Sequence, residues 1–138
     1  MAEDSTKKIH LKIITHEKIV YENDVNAIFS PGIQGEFGIL YNHTPFMTIL
    51  KIGVTRVVVD NESEFISTLG GIFQLKNNNA IILADEAEKG TDIDIPRAKL
   101  AKERAEARLG NAKDKKERAR AERAIARAMA RLKAAKVN

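Results

Sequence analysis

The segment GTDIDIPRAKLAKERAEARLG, residues 90–110, marks the point where this 138-residue chain changes character. The sequence before it is β-rich and punctuated by glycine, whereas the sequence after it consists largely of alanine and charged residues. Residues 1–96 carry 8 basic and 14 acidic side chains, a net charge of −6, and residues 97–138 carry 15 basic and 5 acidic ones, a net charge of +10. We therefore expect two different structural parts, joined near residue 92.

The first part shows the alternation of apolar and polar residues that indicates half-buried strands. Ile9, Leu11 and Ile13 begin this pattern. Further β-rich runs follow at residues 18–21, 25–30, 46–52, 53–59, 64–69, 72–76 and 80–84. The turn-forming clusters between them are Pro31-Gly32, residues 60–63 and residues 77–79. Many short strands with no helical run among them are typical of a sandwich or barrel, and we interpret residues 1–88 as a small all-β domain.

The second part has apolar residues three or four apart, the spacing of a helix face. Two such sets occur: Ala98, Ala101, Ala105 and Leu109, then Ile125, Ala128 and Leu132. Gly110-Asn111 predicts that the first helix ends there in a left-handed conformation. So short a connection predicts an antiparallel hairpin over residues 89–138, an α+β protein as a whole. Alanine buries little apolar area, so the hairpin is expected to be marginally stable alone.

The start of the first helix follows from the residues around Pro96. Proline is favoured in the first turn of a helix because its φ is already helical, and it keeps the preceding residue out of the α region. Asp92 and Asp94 stand just before this point, where the positive end of the helix favours a carboxylate. We therefore expect the helix to begin at Pro96.

Several function classes lack support in the sequence. It contains no cysteine and no GxxxxGK[ST], GxGxxG, HExxH or GxSxG motif, and His10, His16 and His43 are too scattered to predict a metal site. MAEDSTKK at the N-terminus lacks the apolar run of a signal peptide, so we expect the protein to stay where it is translated. The apolar stretches fall far short of the roughly 20 residues that span a bilayer. Membrane association is therefore expected only through partners.

Four arginines have a spacing that admits two interpretations. Arg97 and Arg104 are two turns apart on the first helix, and Arg127 and Arg131 are one turn apart on the second. In an antiparallel hairpin all four can converge on one region. They form either a solvated basic face, which the spacing alone favours, or an anion site suited to a polyphosphate.

Three segments resemble the epsilon subunit of the bacterial F-type ATP synthase. They are GEFGILYNHTPF at residues 35–46, STLGGIFQLKNNNAIILADEAEKGTDID at residues 67–94 and IDIPRA at residues 93–98. The segments occur in the order of the family, and the resemblance spans essentially the whole chain. It implies an N-terminal β-sandwich followed by a C-terminal helical hairpin, in agreement with the division drawn from period and charge.

The resemblance implies a non-catalytic subunit of the rotary central stalk of a proton-translocating synthase. Its implied partners are the gamma subunit and the c-ring, on the cytoplasmic face of the bacterial membrane, to which the subunit is bound peripherally. The GEFGI segment, with Glu36 as its acid, is similar to the family loop that meets the c-ring. His43 is interpreted as a hydrogen-bonded structural residue rather than a functional one. The resemblance also implies that the hairpin is regulatory: it extends toward the alpha and beta subunits and inhibits ATP hydrolysis.

The resemblance also implies a regulatory ATP site in the folded-down hairpin. The family motif [IL]DxxRA is matched by Ile93, Asp94, Arg97 and Ala98. The remaining positions correspond to Glu88, Arg104, Arg127 and Arg131. We assign Arg104, Arg127 and Arg131 to the phosphates, and Glu88 with residues 94–98 to the adenine and ribose. ATP is thus expected as a regulatory ligand, with no catalytic cofactor and no required metal.

Two alternatives differ in function class. A basic, alanine-rich helical tail can bind nucleic acid without specificity or serve as an adaptor. The acidic β part argues against nucleic acid, because it offers no basic patch with interleaved aromatic residues. An enzyme would have to rely on scattered histidines and carboxylates, so we expect none.

Overall fold

The computed structural model describes residues 7–136. Residues 1–6, which carry most of the segment behind the signal-peptide expectation, and residues 137–138 lie outside it. The elements are β1 Ile9–Ile14, β2 Ile19–Val25, β3 Ala27–Gly32, β4 Gly35–Leu40, β5 Phe46–Val59, β6 Glu62–Lys76, β7 Asn79–Ala84, β8 Ala87–Lys89, a 3-10 turn Gly90–Asp92, α1 Ile95–Gly110 and α2 Lys115–Ala134. Neither α-helix combines the length and apolarity needed to cross a bilayer.

The strands form one sheet in the order β2-β1-β7-β6-β5-β3-β4, and β8 pairs with the first half of β6. The β1–β7 pair is parallel and the other pairs are antiparallel. The pairing of β5 with β6 is interrupted at Lys51 and Gly70. Gly70 and Gly71 have φ of 87° and 135°, which glycine adopts without steric strain. The sheet bends at this interruption, so its two halves form the two layers of a sandwich.

A single core lies between the two layers. Its fully buried side chains come from strands of both layers, among them Ile9 of β1, Ile28 of β3, Phe73 of β6 and Ile82 of β7. Phe37 and Phe46 extend the core beside Phe73, with ring centroids 4.9–6.2 Å apart. This arrangement confirms the predicted β-sandwich.

The antiparallel hairpin packs on the outer face of the layer that contains the second half of β5 and the first half of β6. The contact is a small apolar cluster in which Ile93, Ala98, Leu132 and Ala134 are buried, and Val54 and Phe65 are the partly buried sandwich residues beside them. At Gly90 a β-carbon would overlap the backbone carbonyl of Ala134. The hairpin therefore lies folded down against the sandwich through a thin interface.

The boundaries differ from the sequence predictions in a few places. The GEFGI segment is strand β4 rather than a loop, and Pro31-Gly32 lies within β3, so the turn falls at residues 33–34. The runs 46–52 and 53–59 form one strand, as do 64–69 and 72–76. Helix α1 begins at Ile95, one residue before the expected start, because Asp94 already caps it. Asn111 has φ of −105°, so the prediction of a left-handed helix end was wrong.

Candidate functional site

One side of the hairpin is lined by arginines from both helices. At about 100° per residue, these arginines lie roughly a quarter turn, in the same sense, from the buried alanines that face the other helix, except Arg123, which lies about 160° from Ala121 but lines the same groove. Two antiparallel helices that face each other are related by a twofold axis, so the same rotation places side chains on the same side of the pair. This arginine side consists of Arg97, Arg104 and Arg108 of α1 and Arg120, Arg123, Arg127 and Arg131 of α2.

The four arginines predicted from spacing share this side but have different surroundings. Arg97 and Arg104 are exposed, and neither forms an ion pair within the described part of the chain. Arg127 is half-buried and lines a groove near the hairpin turn. Arg131 donates from Nη2 to Oε2 of Glu86 at 2.8 Å, and its Nε lies 4.0 Å from Oε1 of Glu88. Only Arg131 therefore meets the predicted acid Glu88.

The IDxxRA motif supports the start of α1. Asp94 is the N-cap, and its carboxylate accepts a hydrogen bond from the backbone N–H of Arg97 at 3.1 Å. Ile93 and Ala98 are buried in the cluster that joins the hairpin to the sandwich. These contacts fix the motif at the boundary between the hairpin and the sandwich, so a ligand bound at the motif would lie close to both parts of the protein.

A groove of about 750 Å³ lies at the turn end of the arginine side. We call it the turn-end groove. Its lining residues are Ala107, Arg108, Asn111, Glu117, Arg120, Ala121, Arg123, Ala124 and Arg127. Sequence reasoning missed Arg108, Arg120 and Arg123, although each is three or four residues from another arginine of this side.

The predicted c-ring contact, Glu36, is exposed on β4. It lines a second cavity of about 590 Å³ between the hairpin and the sandwich, together with Lys51, Lys102 and Lys133. Its assignment to the c-ring stays a prediction.

An apolar surface lies on the layer of the sandwich that does not carry the hairpin. Outward-facing side chains of three adjacent strands form it: Met47 and Ile49 of β5, Ile72 of β6, and Ile81 and Leu83 of β7. Each is between 36% and 65% exposed. We call these residues the apolar face; contiguous exposure of this kind is typical of a protein interface.

The histidines have structural surroundings. His43 donates from Nδ1 to the carbonyl of Thr44 at 2.7 Å, and its ring meets the edge of Phe46. His10 lies between Asp24 and Glu22, at 2.7 Å and 2.8 Å from their carboxylates. Hydrogen bonding to Asp24, and then to Glu22, raises the pKa of His10 above 6.5. Residues 7–136 contain no cluster of side chains suited to hold a metal.

Two family models cover the described chain. Residues 8–90 match the β-sandwich domain of the ATP synthase delta/epsilon chain, and residues 91–136 match its long α-helix domain. An ATP synthase epsilon chain of Nitratidesulfovibrio vulgaris is 40% identical over 127 residues, which are 92% of this chain and 95% of the relative. An ATP synthase epsilon chain of Syntrophobacter fumaroxidans is 43% identical over 129 residues, 94% and 96% of the two chains.

Solved structures share the fold at low identity. A chain from the mitochondrial ATP synthase of Euglena gracilis, solved with OSCP, F1 and the c-ring, gives a TM-score of 0.79 at 23% identity over 94% of this chain and 81% of that one. A chain from the central stalk and c-ring of the Tetrahymena thermophila mitochondrial ATP synthase gives 0.53 at 14% identity over 68% and 73%.

Proposed function

This chain belongs to the ATP synthase delta/epsilon chain family, and from that premise we propose that it is a regulatory epsilon subunit of the central stalk. It has no catalytic role of its own. It links the gamma subunit to the c-ring of a proton-translocating synthase, at the cytoplasmic face of a bacterial membrane. Contact with the membrane passes through these partners.

The apolar face supports docking on a protein partner in the stalk. It lies on the outer face of one sandwich layer, whereas the hairpin covers part of the outer face of the other layer. A partner can therefore hold the sandwich without displacing the hairpin. We assign the apolar face to the gamma subunit, and Glu36 to the polar contact with the c-ring.

The hairpin is the regulatory part in this proposal. The observation that carries it is the thin contact of the hairpin with the sandwich. Four hairpin residues are buried in this contact, Ile93, Ala98, Leu132 and Ala134. The Arg131–Glu86 ion pair lies at the surface beside them. A surface ion pair contributes only about 0–1 kcal/mol. A two-state equilibrium between a folded-down and an extended hairpin is therefore within reach of a ligand. The extended hairpin carries its positive charge toward the alpha and beta subunits and inhibits hydrolysis.

ATP shifts this equilibrium toward the folded-down form. Arg104, Arg127 and Arg131 hold the phosphates, while Glu88 and the motif residues Ile93, Asp94, Arg97 and Ala98 hold the adenine and ribose. A ligand that binds only one form stabilises it by about 2.7 kcal/mol at a hundredfold excess over its Kd. Because Arg131 already pairs with Glu86 without nucleotide, ATP has to compete with that carboxylate.

The test compares ATP binding and hydrolysis control in one set of variants. The Arg97→Gln, Arg104→Gln double variant removes two exposed cations of the assigned site, and Lys102→Gln, Lys133→Gln removes the same charge beside the other cavity. We expect calorimetry to show weaker ATP binding for the first variant only. In the enzyme assembled with alpha, beta and gamma subunits, that variant inhibits hydrolysis at ATP concentrations that relieve the parent. Equal ATP affinity in all three proteins would refute the site.

A further inference from the structure

The turn-end groove contains a concentration of positive charge that the nucleotide site does not use. Arg108 of α1 and Arg120, Arg123 and Arg127 of α2 all line it. None of the four forms an ion pair with another residue of the described range 7–136. Of these, only Arg127 is shared with the proposed nucleotide site.

The single carboxylate of the groove is already engaged. Glu117 Oε2 accepts a hydrogen bond from the backbone N–H of Lys113 at 2.9 Å, while the N–H of Glu117 donates to Asp114 at 2.8 Å. The N–H of Glu117 thus meets the N-cap Asp114, while its side chain reaches back to the residue before the cap, and the two bonds hold Glu117 at the first turn of α2. None of the four guanidinium groups forms an ion pair with this carboxylate in the described chain, and four cations against one anion leave the groove with an excess of positive charge.

The shape of the groove suits a ligand rather than a solvated ridge. Three alanines line it beside the arginines, and their short side chains leave space between the long arginine side chains. The volume of about 750 Å³ falls within the range of about 300–1,000 Å³ that is usual for small-molecule sites. The cavity is therefore large enough for a ligand that reaches arginines of both helices.

The chemistry of the lining indicates the ligand class. Guanidinium groups bind phosphate oxygens in a bidentate manner, and four of them match a chain of several phosphates. No aromatic side chain lines the groove, so it offers no platform on which a base could stack. We propose that the turn-end groove is a second anion site, which binds an oligophosphate chain and thereby holds α1 and α2 together. The chain is either a free inorganic oligophosphate or the phosphate tail of a nucleotide.

The test is calorimetric titration of the whole protein with inorganic tripolyphosphate at about 0.15 M salt, where charges more than about 8 Å apart are largely screened. We expect one binding site that is retained in the Arg97→Gln, Arg104→Gln double variant. Arg108→Gln, Arg123→Gln weakens binding about 10- to 100-fold, because two charge-assisted contacts are lost. The charge-matched control Lys102→Gln, Lys133→Gln changes it by less than about threefold. Circular dichroism and thermal unfolding check that the variants fold alike.

Other ligands separate the possible sources and partners. In the Arg97→Gln, Arg104→Gln background, which weakens the nucleotide site, competition by ATP but not by adenosine supports the phosphate tail as a ligand. Tripolyphosphate binding without competition by ATP in that background supports a free oligophosphate. No binding, or equal weakening in the groove variant and the lysine control, overturns the proposal. Tighter binding of an oligoglutamate peptide than of tripolyphosphate assigns the groove to a protein and also overturns it. Unchanged tripolyphosphate affinity in the Arg97→Gln, Arg104→Gln variant shows that this site is distinct from the nucleotide site. If the nucleotide site proposed above is wrong, the same variant will leave ATP affinity unchanged, and that result does not affect tripolyphosphate binding at the groove.

Discussion

The substitution Leu132→Ala tests whether the hairpin is a separately releasable part of the protein. Leu132 is buried in the cluster with Ile93 and Ala134, and it borders the open cavity between hairpin and sandwich. The change removes three carbon atoms, and at about 0.8 kcal/mol each the loss of burial is about 2.4 kcal/mol. Because the site opens into an existing cavity, we add little for a new void. The docked state should then lose about 50-fold in population relative to the undocked state.

Native-state hydrogen exchange measures this change part by part. Amides of α2 should lose about 50-fold in protection, since the hairpin is marginally stable once it leaves the sandwich. Amides of the β-sandwich core, such as those of Ile28 and Ile82, should keep their protection. Met129→Ala is the matched control: Met129 lies on the same helix but is 52% exposed, so its loss should change protection by less than about threefold.

Two results would refute the reasoning. If protection fell equally in α2 and in the sandwich, the two parts would unfold as one cooperative unit, and the hairpin could not act as a switch. If Leu132→Ala changed no amide by more than the Met129→Ala control, the apolar cluster would not hold the hairpin down.

Three further perturbations address other surfaces. Ile72→Asp places a charge at the centre of the apolar face, and we expect it to abolish co-purification with a gamma subunit without changing the melting temperature by more than a few degrees. His10 has a raised pKa, so its pairing with Asp24 and Glu22 stabilises the fold fully below pH 6.5. This stabilisation is lost as pH rises through the pKa of His10 in the folded state. We expect His10→Gln to remove this pH dependence from the melting temperature in thermal unfolding. Asp94→Ala should lower stability of α1 by about 1 kcal/mol, seen as faster amide exchange in its first turn.

The two-part fold could be predicted because its signals are local. Alternation of period two and the change to a helical period after Gly90 need no knowledge of distant contacts. The continuity of β5 could not be predicted in this way, because Lys51 and Gly53 resemble a turn in the sequence. Strand β4 was missed since its glycines and exposed side chains give little alternation. Its place in the sheet comes from pairing with β3.

The arginine side was predicted only in part. Spacing within each helix placed Arg97 with Arg104 and Arg127 with Arg131. The turn-end groove depends on how α1 and α2 align across the turn, which spacing within one helix does not determine. The pairing of Arg131 with Glu86 joins residues 45 positions apart and follows from docking alone. The predicted grouping of the ATP-site residues stays a prediction.

Gly90 controls whether the hairpin can dock, because any side chain at this position would overlap the carbonyl of Ala134. The obstructing atoms are main-chain carbonyls of Ala134 and Phe65, which cannot swing aside as a flexible side chain would. A single added methyl group would thus sterically prevent the last turn of α2 from packing on the sandwich, without changing any charge. The folded-down position of the hairpin therefore requires a residue without a β-carbon at the point where the chain leaves its last strand.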